Sequence, residues 1–247
     1  SPPAQELVSS PAAKIMLQTL RDEDNVIILN DILWVFVNLS SLRNNRLSDF
    51  LLKNDILSIV KQILLKVKNF TTYEHIIWLL GNLCSERSDV KEMIFELDLL
   101  DIIIDILSGV YNSDVFSTIL WVLRNLIQDT ELSQTRSLNM GKAIISLIKK
   151  RLHLTECLQI LSMIILKAES EILRIFLDKD LMEELMLLIE NDDYFRESLS
   201  TVGSFICSDD WATAEFVEKG IIEVLFKKIK NMNDIPFSLR KEIFWTL

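Results

Sequence analysis

The chain of 247 residues is 49% hydrophobic and 25% charged, with five glycines and four prolines where average usage would give about seventeen and twelve. Hairpin-rich and doubly wound folds need many Gly and Pro turns, so both are disfavoured, and helices joined by short polar turns are favoured. A net charge of −10 repels backbone phosphates, arguing against a nucleic-acid partner and toward a basic one.

Cys84, Cys157 and Cys207 are far apart and form no CxxC; no disulfide framework is implied, which fits a reducing compartment. His75 and His153 are the only histidines, too few for a zinc site, and no cofactor is implied. No apolar run is long enough for a membrane span, and no basic-then-apolar leader opens the chain.

In chain order, residues 1–12 are polar and rich in Pro and Ser and read as a loose lead-in. From residue 13 the apolar spacing is helical almost without pause, as in Ile56, Ile59, Val60, Ile63 and Leu64, or Leu181, Leu185, Leu188 and Ile189. Thr71 with Glu74, and Asp89 with Glu92, have the spacing of a capping box. Short breaks fall at Lys53-Asn54-Asp55, Lys68-Asn69, Asn191-Asp192-Asp193 and between Asn231 and Pro236.

Three segments superpose: 31–41 (DILWVFVNLSS), 75–85 (HIIWLLGNLCS) and 118–128 (TILWVLRNLIQ). Each carries Trp-x-x-x-Asn, as Trp34/Asn38, Trp78/Asn82 and Trp121/Asn125. Two weaker copies place Leu158/Ser162 and Ser200/Ser204 in those positions, and a sixth supplies Trp245. A period near 42 with three helical patterns per unit is a stacked helical array whose single units cannot bury their apolar faces alone.

Trp and Asn four residues apart share one face of a helix. In stacked helices about 8–10 Å apart they form a ladder of indoles beside a ladder of carboxamides. A carboxamide pairs with a peptide bond's N–H and C=O. Indole faces form slots for Lys or Arg stems. The competing reading is that the tryptophans are core residues, and for the off-register Trp211 that reading is kept. Most Asp and Glu residues belong to solvated outer faces. Glu74 and Glu86 flank Trp78 and are placed to receive a lysine ammonium.

These residues resemble the armadillo-repeat domain of the importin-α family, over nearly the whole chain after residue 13. The resemblance implies an all-α armadillo-repeat solenoid, a right-handed superhelix of about six three-helix repeats with the last truncated, occupying 13–247. It also implies a nuclear-import adaptor, not an enzyme, that shuttles between cytoplasm and nucleus. Such an adaptor binds the Lys/Arg-rich nuclear localisation signals of cargo proteins in extended form. Asn38, Asn82 and Asn125 would hold the peptide backbone and Trp34, Trp78 and Trp121 its basic stems. Trp245 would open a second, minor site. Glu86 stands where the family has its lysine-selecting aspartate. The family's importin-β-binding segment is missing, which implies either a fragment or a protein that does not carry cargo by that route; the mid-repeat end at Leu247 favours the fragment. Leu42 replaces the family's glycine, and the expected threonine has no clear match, Ser48 being the nearest hydroxyl. Arg43, Arg46 and Arg124 lie close to the ladder. They favour the alternative, an armadillo scaffold that holds another protein partner in its groove.

Overall fold

The computed structural model describes residues 4–41, 45–85, 87–109, 113–230 and 236–246; among these are seventeen α-helices and no strand. They pack as two units, residues 1–130 and 131–247.

The first unit contains α1 (Ala4–Ser9), α2 (Pro11–Asp22), α3 (Val26–Ser40), α4 (Asn45–Lys53), α5 (Ile56–Lys66), α6 (Phe70–Cys84), α7 (Ser88–Glu96), α8 (Leu99–Gly109) and α9 (Ser113–Ile127). Helix α1 and the start of α2 lie where a loose lead-in was expected. Pro11 is tolerated at the start of α2 because a first-turn residue needs no N–H partner. The repeating unit is two shorter helices followed by a third of fifteen residues, α4–α6 and then α7–α9. The third helices α3, α6 and α9 pack in succession. Each buries one apolar stripe; on α6 it includes Ile76, Ile77, Leu79, Leu80 and Leu83. Such side chains stabilise by about 1.5–3 kcal/mol each when fully buried.

The breaks have identifiable chemistry. Asp55 and Asp98 adopt left-handed φ of 64° and 54° immediately before the second helix of each repeat. Asp tolerates that conformation through local hydrogen bonding. Helix α6 is capped by Asn69, whose side chain accepts from the Thr72 N–H at 3.0 Å; Thr71 therefore lies inside the first turn and is not the cap. Asp89 is likewise inside α7. It forms an ion pair with Arg87 at 2.6 Å, and Arg87 also reaches Asp49 of α4 at 2.6 Å. The hydrogen-bonded Arg87 guanidinium holds the Asp89 carboxyl below the usual carboxylate range. Lys91 is 4% exposed and donates to the Gln128 carbonyl at 2.5 Å, placing a cation at the C-terminal end of α9.

The second unit contains α10 (Gln134–Lys149), α11 (Leu154–Ile165), α12 (Ser170–Phe176), α13 (Lys179–Glu190), α14 (Phe195–Ser208), α15 (Asp210–Glu218), α16 (Ile221–Lys230) and α17 (Phe237–Thr246). Its first repeat has two helices instead of three. A single sixteen-residue helix, α10, replaces the usual pair because nothing in its sequence breaks it. On α11 the expected register is off by one residue. Leu158 is fully buried, and the outward position is its neighbour Gln159. The third helices α11, α14 and α17 pack in succession.

Candidate functional site

Trp34, Trp78 and Trp121 sit on the third helices α3, α6 and α9 and are 43%, 36% and 38% exposed. Their neighbours one residue before, Leu33, Ile77 and Leu120, are buried. The indoles therefore lie at the boundary where each helix leaves the core, and the core reading of these three tryptophans is excluded. Trp211 is half-buried, with the Arg174 guanidinium 4.5 Å above its ring.

The two intervals along this face differ. Trp34 and Trp78 meet edge to face, with centroids 5.8 Å apart and planes at 71°. The His75 imidazole lies against Trp34, at 5.2 Å and 30°. Carbon atoms in contact are about 3.5–4.0 Å apart, so a stem held between two parallel rings needs about 7–8 Å. The first interval has no such room. Between Trp78 and Trp121 there is an open slot of about 310 Å³, lined also by Ser117 and Thr118.

Trp121 can lie so close to α6 because residue 81 is glycine. A Cβ there would stand 2.2 Å from the Trp121 ring. Ser117 and Thr118 precede Trp121 by four and three residues, the places held before Trp78 by Glu74 and His75. The Thr118 hydroxyl donates to the Asp114 carbonyl of its own helix at 3.1 Å.

The three asparagines are not equivalent. Asn38 donates through Nδ2 to the Trp34 carbonyl at 2.9 Å. Asn82 donates to the Val37 carbonyl at 3.2 Å and to the Ser40 hydroxyl at 3.0 Å, tying α6 to α3. What Asn82 has left to offer a peptide is its oxygen, an acceptor for a backbone N–H. Asn125 has a covered Nδ2 with no hydrogen-bond partner. The cause lies one repeat earlier. Ser40 and Cys84 both follow their Trp by six residues and both donate to a carbonyl of their own helix, Val37 at 2.9 Å and Gly81 at 3.6 Å. Ser40 can also accept from Asn82. The Cys84 thiol, a weak acceptor, offers Asn125 little.

Glu74 is half-buried on α6, one turn before Trp78 and beside His75. It thus belongs to the closed interval. Glu86 and Arg43 lie outside the described residues. Arg46 on α4 is exposed, and so is Arg124, three residues past Trp121. Trp245, on α17 of the second unit, is 80% exposed. His75, Gly81, Ser117 and Thr118 are site residues that the Trp/Asn pattern did not single out. Their signal is the position three or four before, or three after, each Trp.

A larger cavity of the same unit, about 640 Å³, lies between α2 and α5, with Leu20, Ile59 and Ile63 on its walls and Arg21 and Lys66 among its polar groups. Glu23 and Asp55 line it as well, so its two cations face two carboxylates. Among the described residues no helix is long and apolar enough to cross a membrane, and no group of three His, Cys, Asp or Glu could hold a metal ion.

No protein-family model and no curated protein matches the chain. Solved structures do. A designed armadillo-repeat protein in complex with the peptide (KR)4 superposes with a TM-score of 0.75 at 14% identity, over 94% of this chain and 96% of that one. A computationally designed armadillo-repeat protein for modular peptide recognition gives 0.76 at 12% identity, over 94% and 97%. A further designed armadillo-repeat protein gives 0.74 at 12%, over 94% and 97%. The fold is therefore the all-α armadillo repeat.

Proposed function

We propose that the chain binds an extended Lys/Arg-rich peptide along the face formed by α3, α6 and α9. The observation that carries this reading is the open slot between Trp78 and Trp121 on a ladder of three outward indoles. A Lys or Arg stem in that slot gains apolar contact on both sides and cation–π attraction of about 0.5–2 kcal/mol. The Asn38 and Asn82 oxygens accept backbone N–H groups. Asn125, whose covered end is likewise Nδ2, joins them through its oxygen. The net charge of −10 attracts such a peptide from a distance. A protein of the same fold solved with (KR)4 supports the choice of ligand.

In its finer form the proposal is a nuclear-import adaptor that shuttles between cytoplasm and nucleus. The peptide is then a cargo's nuclear localisation signal, importin-β is engaged through a segment outside this sequence, and Trp245 begins a second site. Glu86 then selects lysine, and Glu74, beside the closed interval, adds negative charge to the face.

Titration of fluorescently labelled (KR)4 against the chain and against Trp121→Ala tests the reading. Binding that weakens at least tenfold in the variant, and weakens with added salt, is expected. Equal binding by both proteins would remove the site. No binding by either, with capture of an acidic (DE)4 peptide instead, would favour the scaffold reading, in which Arg124 faces the partner.

A further inference from the structure

The two intervals of the ladder have the same helices, the same Trp-x-x-x-Asn register and nearly the same spacing, 44 and 43 residues. They differ three residues after the first Trp (Val37 against Gly81), four before the second (Glu74 against Ser117) and three before the second, where one has the ring of His75 and the other Thr118. We propose that His75 is the built-in occupant of the Trp34/Trp78 interval, so that the face accepts one basic stem, between Trp78 and Trp121, and excludes a second. This rests on the peptide-binding reading above and specifies its ligand: a peptide recognised through a single slotted Lys or Arg rather than through a run of them.

Three observations support it. The imidazole lies 5.2 Å from the Trp34 centroid, tilted by only 30°, which is how a slotted planar cation would lie. Trp34 has closed onto Trp78 at 5.8 Å, edge to face. The Nδ1 atom of His75 is buried and without a hydrogen-bond partner, and the ring's polar contact is with the Asn30 backbone on α3, which holds the imidazole against that helix. Thr at the corresponding place of the next rung leaves a slot of about 310 Å³. Burial holds the imidazole pKa below its ordinary value, against the opposing pull of Glu74, the Asn30 backbone and Asp31. At pH 7.5 a substitution therefore removes volume without removing a charge.

The test compares the chain with His75→Thr, and with His75→Ser as a second replacement, at pH 7.5. Each is titrated with (KR)4 and with an octapeptide holding one Lys among Ser and Gly, and Trp121→Ala serves as the control for the face itself. Both replacements should raise the affinity for (KR)4 about three- to tenfold. The single-Lys peptide should change by no more than about twofold, the statistical gain of a second equal site. The proposal is overturned if both variants fold, by circular dichroism and melting, and (KR)4 binds them no more tightly than the parent while Trp121→Ala loses binding. That pattern removes the plug and leaves the binding face standing. If parent, His75→Thr and Trp121→Ala all ignore (KR)4, the face and the plug fall together.

Discussion

The interval between Trp34 and Trp78 and the interval between Trp78 and Trp121 are built from the same parts and behave differently. In the first, the indoles touch and an imidazole leans on one of them. In the second, a glycine lets Trp121 settle against α6 and two hydroxyl residues leave a slot open. The difference teaches that a repeated Trp/Asn register sets which helices carry the rings, while the residues one turn to either side of each Trp decide whether the space between them is available.

The comparison can be broken in several ways. Trp121→Ala removes a wall of the open slot and should weaken (KR)4 binding at least tenfold, whereas Trp34→Ala, at the closed interval, should cost under about threefold; fluorescence anisotropy measures both. Gly81→Ala puts a methyl where the Trp121 ring lies. It should weaken the same peptide about five- to tenfold although alanine is the better helix former by about 1 kcal/mol, and Trp emission should shift. Asn82→Ala breaks two hydrogen bonds between α6 and α3. It should lower the free energy of unfolding by about 1–3 kcal/mol in denaturant titrations without peptide. Cys84→Ser copies the Ser40 arrangement one rung on and gives the Asn125 amide an acceptor. A gain of about 0.5–1 kcal/mol is expected in the same titrations.

The smallest effect is a slope with pH. His75 takes its proton below the ordinary 6.5 in the folded chain, because burial disfavours the cation. The unfolded chain then binds more proton than the folded one as pH drops below 6.5, so stability present at neutral pH is lost in that range. Melting curves at pH 7.5 and 5.5 should differ less for His75→Thr than for the parent.

Much of the array was legible from residues alone. Helical periodicity and scarce Gly and Pro pointed to stacked helices, and the Trp register located α3, α6 and α9. The repeat at Leu158 was misread by one position because Leu158, Ile160 and Leu161 are all apolar, and periodicity cannot rank them; only burial picks out Gln159. The capping residues were misplaced because Thr71 and Asp89 have the right spacing but Asn69 and Arg87 precede them with extended backbone. The fused helix α10 hid a missing turn, since a Gly inside a helix need not end it. At the candidate site, the outward indoles followed from the pattern. The closed interval did not, although Asp31, His75 and Thr118 stand in line three residues before the three tryptophans. A ring packing against a ring is a tertiary event that spacing does not encode. The carboxamide donors of Asn38 and Asn82 also proved to be engaged within the fold, which no offset between Trp and Asn reveals.

The most direct measurement is a crystal structure of the chain with (KR)4. A Lys or Arg stem should lie between the Trp78 and Trp121 rings, over Ser117, with the peptide extended across α6 and α9 and Trp34 still against Trp78. A peptide seated in the cavity between α2 and α5, or one whose basic side chains leave the Trp78/Trp121 slot empty, would contradict the account.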